Sequence, residues 1–203
     1  MATVAASGPT VIFVVDTSSA VSALAILDGS GSVRQEVFLP ARSPQLIDRM
    51  RALVAPYKLT RVAVATGPGS FTGLRVGVSF GLGLAMGLRI PIVPLRTLEL
   101  QAARSDTPVI AISEAGRGRL YYLAPGGRPA LGEPREIPKT HRLVGFVSAL
   151  TRSALEDVGH LFAPDQELGS FGGAAAQLLE SARDVPYGSL KLEYMQSISV
   201  RPK

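Results

Sequence analysis

Apolar residues alternate with small or polar ones in three short runs near the start of the chain, at residues 11–15, 21–27 and 33–39. Turn-forming residues separate the runs: Asp16-Thr17-Ser18-Ser19 follows the first, and Asp28-Gly29-Ser30-Gly31 follows the second. Short alternating runs joined by tight turns are typical of neighbouring antiparallel strands. The sequence therefore predicts that the fold opens on a three-stranded meander.

The spacing of apolar residues then becomes helical. Ser43 and Pro44 favour a helix start, as N-cap and first helical residue. Apolar residues follow at intervals of one, three and four positions up to Pro56: Leu46, Ile47, Met50, Leu53 and Val54. Residues 62–65 predict the next strand, which leads directly into a glycine-rich loop at 67–73.

Residues 74–88 are apolar at every second position, but a strand of this length would be about three times the usual one. Small residues recur there at every fourth position, at Gly73, Gly77, Gly81 and Ala85. On a helix, residues four apart lie on one face, so these four would form a smooth ridge. The pattern favours a long helix that packs closely against another element.

The remaining chain repeats a mixture of strand and helix patterns. Strands are predicted at 90–95, 109–112, 120–123 and 136–137, and a short helix at 97–103. Helical spacing recurs at Leu143, Val144, Val147 and Leu150, and a second glycine loop opens a helix at 174–182. Both halves therefore predict an α/β architecture of two duplicated lobes with mixed sheets. We place the first lobe at residues 1–105, with 1–9 as a flexible tail, and the second at 106–203.

Composition narrows the function classes only slightly. Hydrophobic residues make up 46% of the chain and charged residues 18%, and there is no cysteine, so disulfides and thiolate metal sites are excluded. The net charge of +5 permits a nucleic-acid partner, but the basic residues are dispersed, which favours ordinary surface charge. No secretory signal pattern is present, and the apolar run at 76–88 is too short to span a membrane. We expect a cytoplasmic protein without a membrane partner.

Candidate chemistry concentrates at two turns. His141 and His160 lack metal-ligand spacing, and no nucleophile–base–acid set stands out, so we assign no catalytic or metal-binding residue. The Asp16 turn has a carboxylate and hydroxyls that suit a phosphate or a magnesium-bound water, but a turn held by its own hydrogen bonds has the same composition. The 67–73 loop lacks both the Walker lysine and dinucleotide spacing. A residual nucleotide site here would use Asp16, Thr17, Ser18, Gly67 and Gly69.

The residues Gly67-Pro68-Gly69-Ser70-Phe71-Thr72-Gly73-Leu74-Arg75-Val76-Gly77 resemble the signature of the bacterial TsaB (YeaZ) family. Val14-Val15-Asp16-Thr17-Ser18 resembles the opening strand and turn of that family, and residues 87–93 resemble its return strand. Tyr194-Met195 resembles its C-terminal element. The resemblance extends mainly over residues 10–100. It implies an actin/Hsp70/sugar-kinase-like fold.

The resemblance also implies a role in forming N6-threonylcarbamoyladenosine at position 37 of tRNAs, as a non-catalytic dimerisation or scaffold subunit. Its implied partners are a TsaD-like catalytic subunit, a TsaE-like ATPase and tRNA bound through the complex, with a homodimer as an alternative. ATP or ADP would belong to the whole complex. The chain lacks the His-x-x-x-His pair that the resemblance assigns to the metal site of TsaD. The alternative function is an ATP-binding phosphotransferase of the same fold.

A subunit of this kind needs a docking surface, and we predict that the ridged helix and the helix after Ser43 provide it. The predicted interface residues are Leu46, Arg49, Met50, Phe71, Gly73, Leu74, Gly77, Val78, Gly81 and Ala85.

Overall fold

Two mixed β-sheets organise the molecule, a computed structural model that describes residues 10–193. The first sheet has the strand order β3-β2-β1-β4-β5. Its strands are β1 (Val11–Asp16), β2 (Val21–Asp28), β3 (Val33–Pro40), β4 (Arg61–Ala65) and β5 (Ile92–Leu95). Strands β1 to β3 pair antiparallel, and β4 and β5 run parallel to β1, so the predicted meander is confirmed.

The second sheet repeats this plan on a smaller scale, in the order β8-β7-β6-β9. Its strands are β6 (Ile110–Gly116), β7 (Arg119–Leu123), β8 (Ala130–Gly132) and β9 (Leu143–Val144). The first three pair antiparallel, and β9 runs parallel to β6. The predicted α/β fold with mixed sheets in both halves is confirmed. The division into lobes at residue 105 stays a prediction.

Helices cover both faces of each sheet. They are α1 (Leu46–Val54), α2 (Phe71–Leu88), α3 (Thr97–Ala102), α4 (Ala149–Asp157) and α5 (Phe171–Leu179). Strand β1 is buried on both faces because its alternate side chains enter different cores. Phe13 and Val15 pack under α1 and α2, whereas Ile12 and Val14 share a core with Phe171 of α5. Helices α3 and α5 contact each other, and α4 packs against the second sheet through Leu155.

Several local predictions need correction. Helix α1 begins at Leu46, two residues after Pro44, because Ser43 and its neighbours form a turn in which the Leu46 amide donates to the Ser43 carbonyl. Three short 3-10 helices link the elements, and one of them, Pro134–Glu136, occupies part of the predicted strand at 136–137. Leu143 and Val144 form strand β9, not a helix, and the helix starts at Ala149. The predicted tail at 1–9 and the Tyr194-Met195 element lie outside the described residues.

Candidate functional site

The 67–73 loop and the Asp16 turn are in direct contact, although about fifty residues separate them in sequence. The Ser70 amide donates to the Ser18 carbonyl at 2.7 Å. The Thr17 hydroxyl donates to the Gly73 carbonyl at 2.6 Å and accepts from the Gly77 amide at 3.0 Å. Ser70 also caps α2, since its hydroxyl accepts from the Gly73 amide at 3.3 Å. The first turns of α2 are therefore fastened to the β1–β2 turn.

Glycine is required at this contact because the backbones approach too closely for a side chain. A Cβ at Gly69 would lie 2.6 Å from the Ser18 carbonyl oxygen. A Cβ at Gly73 would overlap the Thr17 carbonyl oxygen, and one at Gly77 would overlap the Thr17 hydroxyl. One helical turn further on, a Cβ at Gly81 would overlap Val64 of β4. The ridge of small residues is thus the surface by which α2 packs on its own sheet.

This packing corrects the predicted docking surface. Gly77, Gly81 and Ala85 are buried against the sheet, so the ridge is covered within the chain itself. Four other predicted interface residues are also buried, namely Leu46, Met50, Leu74 and Val78, while Gly73 is half-buried. Arg49 and Phe71 remain exposed. A partner that binds α1 and α2 would therefore contact a different set of side chains.

Asp16 is the centre of a buried polar cluster between the two sheets. Its Oδ1 accepts from the Ser18 amide at 2.8 Å, whereas Oδ2 is buried without a hydrogen-bond partner among residues 10–193. Burial raises the pKa of Asp16, and the hydrogen bonds from Ser18 oppose this more weakly. The next residues of the turn form two hydrogen bonds between hydroxyl groups. Ser18 bonds to Thr97 at 3.1 Å, and Ser19 bonds to Ser113 at 3.4 Å. The cluster therefore ties the β1–β2 turn to α3 and to β6.

The five residues predicted to bind a nucleotide lie close together in this region, but most of them are buried and inaccessible to a ligand. Asp16, Thr17 and Ser18 are at most 5% exposed, and the Thr17 hydroxyl is fully engaged with α2. Gly67 and Gly69 are buried and half-buried beside them. A phosphate would have to displace α2 or the turn in order to contact these groups. The nucleotide site stays a prediction, and it requires this contact to open.

The raised pKa of Asp16 predicts how stability depends on pH. The folded chain binds this proton more tightly than the unfolded chain does. The stabilisation from protonation is therefore complete below the ordinary carboxyl pKa of 3.8 and is lost as the pH rises through the raised folded-state value. Asp16→Asn retains an oxygen acceptor for the Ser18 amide without burying a charge.

We expect the melting temperature of the wild type, relative to Asp16→Asn, to fall as the pH rises above the ordinary carboxyl pKa of 3.8, because the buried carboxyl of the wild type must then lose its proton. Thermal melts of both proteins at a series of pH values above 3.8 check the prediction. A difference in Tm that does not change with pH would contradict it.

The outward face of α2 carries apolar side chains that stay exposed among residues 10–193. Phe71, Met86 and Leu88 are each about half exposed, at 46%, 53% and 50%. Between α1 and α2 lies an open groove of about 560 Å³. Its lining residues are Ile47, Phe71, Thr72, Arg75, Val76, Ser79 and Phe80. Contiguous apolar patches on a protein surface mark interaction sites, whereas single exposed apolar residues are ordinary.

Sequence reasoning missed Ile47, Val76, Ser79, Phe80 and Met86 as surface candidates. A signal for them existed, because Phe71, Arg75, Ser79 and Met86 follow one another at steps of four, four and seven residues and so share one side of a helix. Gly83 and Gly87 have open space where a Cβ would lie, in contrast to the inward glycines. Small residues therefore occur on both sides of α2, and the structure distinguishes the two sides by whether a neighbouring element covers them.

Helix α2 is also long and apolar enough to cross a membrane, by length and composition alone. Its inward side packs on β1 and β4, and 28% of its residues are buried. This combination describes a helix that covers a sheet and leaves an apolar side outward.

The sequence of this chain is similar to that of proteins that act in tRNA modification. A protein-family model described as TsaD, tRNA N6-adenosine threonylcarbamoyltransferase, matches residues 44–158. The TsaB biosynthesis protein of Bacillus subtilis is 42% identical over 71 residues, which cover 34% of this chain and 31% of that protein. A tRNA N6-adenosine threonylcarbamoyltransferase of Granulibacter bethesdensis is 27% identical over 193 residues, covering 81% of this chain and 51% of that protein. The chain spans about a third to a half of the length of these curated relatives.

Solved structures show the same fold. YeaZ from Pseudomonas aeruginosa superimposes with a TM-score of 0.65 at 20% identity, over 92% of this chain and all of that one. A second Pseudomonas aeruginosa structure, of a protein with similarity to peptidase YEAZ, gives a TM-score of 0.68 at 18% identity over the same shares. The family match includes α1, α2 and the groove between them.

Proposed function

We propose that this chain, which belongs to the TsaD family, is a TsaB-type, non-catalytic docking subunit. Its process is the biosynthesis of threonylcarbamoyladenosine on tRNA, the process for which its TsaB relatives are named. Its partner is a TsaD-like catalytic subunit. A TsaE-like ATPase and tRNA join through that partner, and any ATP or ADP belongs to the assembled complex.

The uncovered apolar side of α2 is the observation that carries this proposal. The inward side of the helix packs on the sheet, whereas Phe71, Met86 and Leu88 on its outward side stay about half exposed. Half-exposed Phe71 and Met86 and the adjoining groove offer a partner both apolar area and a shape to fill. Large apolar side chains in such a groove are the usual anchors of a protein–protein interface.

The burial of the Asp16 turn favours a non-catalytic role for this chain. Catalytic carboxylates and hydroxyls must reach a substrate, whereas those of Asp16, Thr17 and Ser18 are buried and bonded within the chain. The alternative, an ATP-binding phosphotransferase, would need this cluster to open.

Reconstitution tests the function. We expect tRNA, threonine, bicarbonate and ATP, mixed with a TsaD-like subunit and the other partner proteins, to yield modified adenosine only when this chain is present. Liquid chromatography with mass spectrometry of the digested tRNA measures the product. Equal product with and without this chain would contradict the proposal. Asp16→Asn serves as a control, because a docking subunit should retain its effect when this buried carboxylate is neutralised.

A further inference from the structure

A second cavity lies at the opposite end of strand β1 from the Asp16 turn. Its volume of about 290 Å³ is close to the lower end of the usual range for small-molecule sites, about 300–1,000 Å³. Val11, the first residue of β1, and Thr60, which precedes β4, both line it. At the rise of an extended strand, roughly 16 Å separates Val11 from Asp16. The cavity is therefore distinct from the buried polar cluster, and we call it the β1 cavity.

A β-bulge brings Arg34 to this cavity. Val33 of β3 pairs with Leu27 of β2, and Gln35 pairs with Ile26. Arg34 is therefore an extra residue between two paired positions. Bulges of this kind re-aim a side chain and are frequent next to functional sites. Arg34 lines the cavity while its side chain stays 56% exposed, so a ligand from solution can reach the guanidinium.

Asp28 holds that guanidinium in place. Its Oδ2 lies 3.2 Å from Nη2 of Arg34, and its Oδ1 accepts from the amides of Ser30 at 2.9 Å and Ser32 at 3.1 Å. Hydrogen bonds from the Ser30 hydroxyl and amide keep the pKa of Asp28 below its ordinary value, so the carboxylate stays charged at neutral pH. Both carboxylate oxygens are thus engaged within the chain, whereas Arg34 has further N–H groups to offer a ligand.

The connection between α1 and β4 supplies the other side of the cavity. Lys58 lines it, is exposed, and has no carboxylate within ion-pair distance in the described part of the chain, residues 10–193. Half-buried Tyr57 contributes an aromatic ring, and Pro56 and Val11 add apolar surface. The Thr60 hydroxyl accepts from the Val11 amide at 3.0 Å and donates to the Val11 carbonyl at 3.1 Å, which fastens this connection to β1. The cavity therefore combines two cations with an aromatic and apolar wall.

This combination favours one class of ligand. A phosphomonoester carries a charge of about −1.5 to −2 at pH 7 and three acceptor oxygens, which suits two cations from different elements. Arginine binds phosphate through two parallel hydrogen bonds, and lysine binds it as a point charge. Aromatic side chains stack on nucleobases of any kind. An inorganic anion alone would leave the aromatic and apolar wall uncovered.

We propose that the β1 cavity binds a phosphomonoester that carries a planar aromatic group, a ligand of about the size of a mononucleotide. Arg34 and Lys58 receive the phosphate, and the ring of Tyr57 packs against the aromatic group. The cavity shares no lining residue with the groove between α1 and α2, so this site goes beyond the docking role proposed above and does not depend on it.

Calorimetry with three probes tests the class of ligand. We expect the whole chain to bind AMP with a Kd below about 1 mM, and to bind adenosine and inorganic phosphate at least about 10-fold more weakly. Adenosine lacks the phosphate, and inorganic phosphate lacks the aromatic group. A Kd for AMP above about 1 mM would overturn the inference. Affinity for either of the other probes equal to that for AMP would overturn it as well, because one half of the cavity would then have no role.

Substitutions of the two cations test the place of binding. We expect Arg34→Gln to weaken AMP binding about 10-fold or more, and Lys58→Ala to weaken it severalfold, with the affinity for adenosine unchanged. Arg128→Gln and Lys139→Ala are the matched controls. Arg128 and Lys139 are also exposed, but neither lines the β1 cavity. Substitution of exposed residues changes stability little, and thermal melting verifies that all four variants are folded. AMP affinities that are equal for Arg34→Gln and Arg128→Gln would overturn the inference.

Discussion

Gly73→Ala is expected to lower the free energy of unfolding by about 3 kcal/mol or more. The added Cβ would overlap the Thr17 carbonyl oxygen, which belongs to backbone and cannot rotate away. Relief requires the N-terminus of α2 to move away from the β1–β2 turn, and this movement would break the hydrogen bonds of the Thr17 hydroxyl to Gly73 and Gly77. Since 1 kcal/mol shifts the Tm of a chain this size by about 2–4 °C, thermal melting detects the loss easily.

Gly83→Ala makes the same substitution on the outward side of the same helix. Nothing lies within 4 Å of its added Cβ, so the change should act only through helix propensity. We expect it to raise the free energy of unfolding by up to about 1 kcal/mol. A Gly73→Ala protein that melts with the wild type, or a Gly83→Ala protein that melts far below it, would show that the two sides of α2 have been assigned wrongly.

Met86→Asp is expected to weaken binding to a TsaD-like subunit by about 2 kcal/mol or more, roughly 30-fold or greater. Met86 is 53% exposed on the outward side of α2, so aspartate at this position would remove apolar contact and place a charge within an apolar interface. Substitution of an exposed residue changes stability by about 0.5 kcal/mol or less. The loss should therefore appear in binding and not in melting. Isothermal titration calorimetry and thermal melting of the same preparation separate the two effects.

Leu150→Asp provides the matched control for that experiment. Leu150 is 82% exposed on α4, so the chemistry of the change is the same while the surface is different. We expect its affinity for the TsaD-like subunit to equal that of the wild type. If Leu150→Asp and Met86→Asp weakened binding equally, the docking surface could not be specific to α1 and α2.

The first sheet could be predicted closely because its signals are local. Turn residues follow each of the three opening runs, and the strands end within one residue of where the alternation stops. The helical form of α2 was also predictable, since the four-residue recurrence of small side chains excludes a strand. These features depend on residues that are close in sequence, and the spacing of such residues can be seen in the sequence itself.

The sequence could not predict which element packs against the ridge of small residues, because a smooth helix face allows close approach to its own sheet and to another protein alike. The surface that fills it belongs to Thr17 and Val64, and no pattern around Gly73 or Gly81 identifies them. The packing of the turn after Asp16 is equally non-local, since Thr17 bonds to Gly77 of α2 and Ser19 bonds to Ser113, both from distant parts of the chain. Strand β9 has no local signal, because Ile110, which pairs with its Leu143, lies more than thirty residues away.

Hydrogen–deuterium exchange of this chain, alone and with a TsaD-like subunit, tests most directly the claim that the subunit binds the outward surface of α1 and α2. Binding slows exchange where it suppresses local opening. The account predicts added protection in peptides from Leu46–Val54 and Phe71–Leu88, with exchange in Ala149–Asp157 unchanged. A complex that forms while protecting Ala149–Asp157 and leaving Phe71–Leu88 unchanged would contradict it.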